Sequence, residues 1–118
     1  MAEKQGRKWQ ITINNPQDRG LDHGQIKLAL DSIRNLEYFC LSDEIGLDTH
    51  TPHTHLFLIL KSPARFTRLK KLFPEAHIEI ARGSGEENRA YVEKSGKWAD
   101  DPKSDTSVSG TFEEWGEL

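Results

Sequence analysis

The chain has one cysteine, Cys40, among 118 residues, so no internal disulfide can form, and a reducing compartment is its natural setting. Cys40 lies in the apolar stretch Tyr38-Phe-Cys-Leu41 and reads as a core residue rather than a nucleophile. No apolar run approaches the roughly 20 residues that span a bilayer, so no membrane partner is expected. The N-terminal stretch Met1-Ala-Glu-Lys-Gln-Gly-Arg-Lys8 lacks the apolar core of a signal peptide. A nucleotide-binding Gly-Lys-Ser/Thr element is missing too, and Gly83-Ser-Gly85 reads as a turn. No serine sits in a nucleophile-elbow pattern, which removes the common Ser/His/Asp hydrolases. Internal repeats are absent.

What is present fits one compact domain. The formal net charge is only −3, but it is unevenly spread. Residues 1–60 hold six Lys/Arg against eight Asp/Glu, residues 61–97 nine against five, and residues 98–118 one against six. A local basic stripe can bind phosphates on an acidic chain, although a solvated helix face accounts for such a run equally well.

Lys8 to Ile13 alternates, with Trp9, Ile11 and Ile13 on one side, as a half-buried strand does. Asn14-Asn-Pro16 ends it. Asp22 to Gln25 predicts a helix start of capping-box type, and Ile26, Leu30 and Ile33 carry the helix to about Asn35. Strands are predicted at 37–42 and 53–60, joined by a polar connection over 45–52. A short helix over 65–73, a strand over 76–81 and a helix over 86–95, stopped by Gly96, complete the order. This is a split βαβ pattern, α+β in class and similar to ferredoxin or RRM domains: an antiparallel sheet with helices packed on one face. Residues 1–98 form the domain. Residues 99–118 read as an acidic tail or the start of a linker, with Phe112 and Trp115 as residues that could dock back.

Three groups could carry chemistry. His53 and His55 are two apart on a strand, so both imidazoles project from one face, a ready pair of nitrogen ligands. Asp43 and Glu44 close the preceding strand, and a hairpin would set this acidic pair opposite the histidines. Two imidazoles and one carboxylate leave positions on a divalent ion for phosphate oxygens and water. His50 offers an alternative third ligand and a zinc-hydrolase reading. Tyr91 and Lys94 stand at i and i+3 of the last helix, one above the other, and a cation beside a phenol favours the phenolate nucleophile. Against these stand ordinary roles: incidental strand histidines, solvated loop acids and a packing tyrosine.

The combination resembles the replication initiators (Rep proteins) of circoviruses and related circular single-stranded DNA viruses and plasmids, members of the HUH endonucleases. The resemblance runs from about Trp9 to Gly96. Trp9-Gln-Ile-Thr-Ile-Asn-Asn-Pro16 is similar to the family's first motif, which contributes to origin recognition. Thr51-Pro-His-Thr-His-Leu-Phe57 is similar to the metal-binding second motif, and Asn88-Arg-Ala-Tyr-Val-Glu-Lys94 to the third, Tyr-x-x-Lys. Glu44 falls at the family's acidic metal ligand, and His77-Ile-Glu79 before Arg82-Gly83 follows the circovirus pattern. Thr54 departs from the larger apolar residue usual between the histidines, and circoviruses often carry Gln at the second histidine position.

The resemblance implies Mn²⁺ or Mg²⁺ held by Glu44, His53 and His55, attack by Tyr91 on the scissile phosphate, and Lys94 steadying the developing charge. It implies single-stranded DNA at a stem-loop origin as partner, with Asn14 and Asn15 toward bases and Arg82, Arg89 and Lys97 toward phosphates. Full-length relatives usually carry a helicase domain after the nicking domain. A eukaryotic virus would place the protein in the host nucleus, a bacterial plasmid or phage in the cytoplasm. The alternative is a non-catalytic, RRM-like single-strand binding module using Trp9 or Phe57 as stacking platforms.

Overall fold

A computed structural model describes residues 4–46, 50–95, 107–108 and 110–118. Five strands, β1 (Gln5–Asn14), β2 (Leu36–Ile45), β3 (Pro52–Arg65), β4 (His77–Ile80) and β5 (Glu113–Gly116), form one sheet in the order β4-β1-β3-β2-β5. Every neighbouring pair is antiparallel. Three helices, α1 (His23–Leu30), α2 (Phe66–Leu72) and α3 (Gly85–Glu93), pack on it. The domain is α+β and ferredoxin-like, with β3 between β1 and β2 in the split βαβ manner. Among the described residues no helix is long and apolar enough to cross a membrane.

The main core forms on one face. Trp9, Ile11 and Ile13 of β1, Phe39 and Leu41 of β2, and Leu56, Leu58 and Leu60 of β3 meet Ile26 and Leu30 of α1 and Leu69 of α2. The period of two sends the intervening residues to the other face. There Tyr38, Cys40, Phe57 and Ile59 are buried beneath Val92 of α3. The central stretches of β2 and β3 are therefore apolar on both sides, which explains their continuous apolar runs. On β1 only one side is buried, and it alternates. The helices thus divide: α1 and α2 cover one face, and α3 covers the β2–β3 half of the other. Strand periodicity marks two buried faces but does not assign a helix to either, so the expected grouping on one face does not extend to α3.

Local chemistry sets the element ends. The Asp22 side chain accepts the Gln25 backbone N–H at 2.8 Å and starts α1. That helix stops at Leu30, short of the predicted Asn35, because Ser32 Oγ donates to the Ala29 carbonyl at 2.7 Å and the chain turns. Ile33 still reaches the core from that turn. Gly83-Ser-Gly85, predicted as a simple turn, supplies the cap of α3: Ser84 Oγ accepts the Glu87 N–H and the Glu87 carboxylate answers, a full capping box.

Residues 113–116 extend the sheet instead of trailing away. β5 pairs with β2, with Phe39 opposite Trp115, and the two rings stack at 6.1 Å between centroids. Gly116 takes φ 92, and a Cβ there would lie 2.2 Å from the Glu37 carbonyl oxygen. Glu113 binds Lys27 and His23. Glu114 accepts from Tyr38 and forms a fork with Arg89. Of the acidic residues read as a tail, Glu113 and Glu114 are engaged in these specific cross-links.

Candidate active site

The β2–β3 hairpin builds the core of the site. Glu44 lies directly opposite His53 in the register, and Ser42 opposite His55. Even positions of β2 and odd positions of β3 share the face that carries α3, so Glu44, His53 and His55 converge there. Their ligand atoms all lie within 4.8 Å of one another. His55 Nδ1 is 3.3 Å from Glu44 Oε2, and His53 Nε2 is 4.0 Å from Glu44 Oε1. The two imidazole rings are 4.9 Å apart.

Asp43 points to the opposite face. Its Oδ1 accepts from Thr54 Oγ1 and pairs with His23 Nε2, both at 2.8 Å. Of the acidic pair, Glu44 alone joins the histidines. The same contact explains Thr54 between two histidines: its hydroxyl is buried but satisfied by Asp43. His50 is exposed and outside the cluster, so the three-histidine zinc arrangement is not formed.

Helix α3 lays Tyr91 beside this group, its ring 5.6 Å from that of His55. Three polar ties hold the helix in place. Ser42 Oγ donates to the Val92 carbonyl at 2.8 Å, Gln10 Nε2 donates to Asn88 Oδ1 at 2.9 Å, and Lys8 Nζ donates to the Gly83 carbonyl. None of Ser42, Gln10 or Asn88 was singled out in the sequence. The available signal was positional, since Ser42 precedes Glu44 by two and Asn88 precedes Tyr91 by three, on the faces already identified.

Lys94 differs from its predicted geometry. The helix ends at Glu93, and Lys94 is the cap residue in the left-handed conformation, φ 60 and ψ 48. Its side chain turns back under the sheet, where Nζ lies 3.7 Å from the Tyr91 ring centroid and 3.4 Å from Glu44 Oε2. The expected depression of the phenol is not found. Burial, then the charges of Glu44 and Glu79, raise the Tyr91 pKa above its ordinary value. Burial likewise holds the His55 imidazole below its ordinary value, with Glu44 opposing and Lys94 and His53 reinforcing. A neutral imidazole is the form that ligates metals. One carboxylate and two imidazoles make a donor set that fits a divalent ion with open positions.

The residues assigned to DNA separate. Asn14 stands opposite His53 at the end of β1, exposed. Asn15 follows at φ 50 and donates its N–H to the Pro52 carbonyl at 2.8 Å. Arg82 is exposed beside the N-terminus of α3. Arg89 is engaged elsewhere: it binds Glu93 at 2.8 Å and Glu114 at 2.6 Å and lies over Phe112. These contacts clamp β5 to α3. Lys97 lies outside the described residues. Trp9 and Phe57, the platforms of the RRM-like alternative, are both fully buried.

An antiparallel sheet with two strand histidines and a carboxylate, overlain by a helix tyrosine, defines a domain of HUH type. Residues 6–95 match the family model described as "Putative viral replication protein". The chain belongs to that family of viral replication proteins. It is 36% identical over 94 residues to the replication-associated protein of pigeon circovirus, covering 80% of this chain and 28% of the relative. It is 33% identical over 99 residues to that of beak and feather disease virus, covering 81% and 32%. The master replication protein of subterranean clover stunt virus is 31% identical over 94 residues, covering 80% and 29%. The matched region thus spans about a third or less of these relatives' length.

Proposed function

We propose that this chain is the origin-nicking domain of a rolling-circle replication initiator, cutting and rejoining single-stranded DNA through a covalent link to Tyr91. The observation that carries the reading is the packing of Tyr91 against His55, which sets a helix-borne phenol beside three metal-type ligands. A divalent ion, Mn²⁺ or Mg²⁺, held by Glu44, His53 and His55 would supply positive charge to the scissile phosphate. The Tyr91 oxygen attacks phosphorus, its proton passes to solvent, and the bond to the 3′-oxygen breaks. The strand leaves as a 3′-hydroxyl, and the 5′-phosphate stays on Tyr91. Attack by a 3′-hydroxyl reverses the step, so no nucleotide cofactor is consumed. Lys94 places an ammonium beside the phenol and is suited to offset charge there. Asn14 and Asn15 border His53 and suit base edges, while Arg82 suits a phosphate. A helicase domain elsewhere in the full-length protein would fit the length of the relatives.

The test is incubation with a single-stranded origin oligonucleotide and Mn²⁺, resolved on a denaturing gel. Tyr91→Phe should abolish the covalent adduct and leave DNA binding intact. Tyr38→Phe should keep the adduct, because the Tyr38 hydroxyl is committed to Glu114 at 2.6 Å. An adduct that survives Tyr91→Phe rejects the mechanism.

A further inference from the structure

Lys94 occupies an unusual position for a lysine. Its side chain is only 3% exposed, whereas lysines are almost never fully buried unless paired. Its backbone is left-handed, φ 60, a conformation seldom taken by a residue with a long side chain. The ammonium then meets Glu44 Oε2 at 3.4 Å, the same oxygen that His55 Nδ1 approaches at 3.3 Å. Glu44 is itself 4% exposed. Burying a carboxylate is costly unless a counter-charge stands beside it. A divalent ion among Glu44, His53 and His55 would draw on that same carboxylate and would sit next to a fixed positive charge.

We infer that Lys94 is the built-in counter-cation of Glu44 and that it lowers the divalent-ion affinity of the Glu44, His53 and His55 group. The lysine and the ion compete for one carboxylate. The same ammonium lies 3.7 Å from the Tyr91 ring centroid, so a change in its hold on Glu44 bears on the charge beside the phenol through a single side chain. This rests on the metal-binding part of the reading above, but it concerns binding and needs no DNA.

The experiment measures Mn²⁺ binding by electron paramagnetic resonance of the free ion, and thermal unfolding with and without Mn²⁺. It compares the parent, Lys94→Met and Lys94→Arg. Lys94→Met removes charge at similar volume and should bind Mn²⁺ about tenfold more tightly. Its melting temperature should fall without the ion and rise further than the parent's when Mn²⁺ is added. Lys94→Arg keeps the charge and should bind like the parent. Equal or weaker Mn²⁺ binding by Lys94→Met overturns the inference, as does Lys94→Arg binding as tightly as Lys94→Met. If Lys94→Met is unfolded without the ion, saturating Mn²⁺ must restore its fold, and failure to do so also overturns it. A parent that binds no Mn²⁺ rejects the metal reading as well. A missing DNA adduct with the expected Mn²⁺ results rejects only the nicking chemistry.

Discussion

Asp43 and Glu44 are adjacent in the chain and work on opposite faces of the sheet. Glu44 turns toward His53 and His55, while Asp43 turns toward Thr54 and His23. Substituting each by its amide should therefore separate two functions. Glu44→Gln removes the anionic ligand and should abolish Mn²⁺ binding in a calorimetric titration. Asp43→Asn should leave that titration nearly unchanged and lower stability by about 1 kcal/mol, the usual net worth of a partly exposed hydrogen bond. Loss of Mn²⁺ binding in Asp43→Asn alone would mean the ligand set is misassigned. The histidine pair was legible because a period of two fixes which residues share a strand face. The acidic pair was not, since its division depends on β2 running on through Glu44 to Ile45. Sequence left that stretch at the edge of a polar connection. Lys94 was misplaced for a similar reason. The spacing Tyr-x-x-Lys describes a helix face only while the helix lasts, and here it ends one residue too soon.

At the level of elements, only Phe112 and Trp115 hinted that the segment around β5 docks back, and its pairing as a strand was hidden. Glu-Glu-Trp-Gly is short and acidic, and its partners Lys27, Arg89, Tyr38 and Phe39 are remote in the chain. Nothing in its own pattern names them. Its attachment to α1 and β2 should depend on pH in both directions. Burial opposes charge on His23, but its hydrogen bonds to Asp43 and Glu113 outweigh this and raise its pKa above 6.5. That contribution is complete below 6.5 and is lost as pH rises through the raised value. Hydrogen bonds from Lys27 and His23 lower the Glu113 pKa below its ordinary 4.5. That contribution is complete above 4.5 and is lost as pH falls through the lowered value. Docking of β5 should be strongest between those two ordinary values. The Trp115 indole resonance, followed by NMR across the range, reports it through the Phe39 stack. His23→Gln should remove the alkaline limb and spare the acidic one. An alkaline limb that persists in His23→Gln would assign it to another group.

Across the whole molecule, the site is assembled from two parts of very different locality. Glu44, His53 and His55 belong to one hairpin, whose strands are joined by a short connection, so little loop entropy opposes their meeting. Tyr91 arrives on α3, after the chain has laid down α2 and placed β4 on the far side of β1. Contacts of such separation form late in topology-limited folding. We expect pulse-labelling hydrogen exchange during refolding to protect β2 and β3 amides before those of α3. Simultaneous or earlier protection of α3 would reject this order. Under the proposed function, a chain emerging from the ribosome would then hold its metal ligands together before its nucleophile reached them. Tyr91 would join them only once α3 had docked, so assembly order itself would keep partly folded copies from attacking DNA.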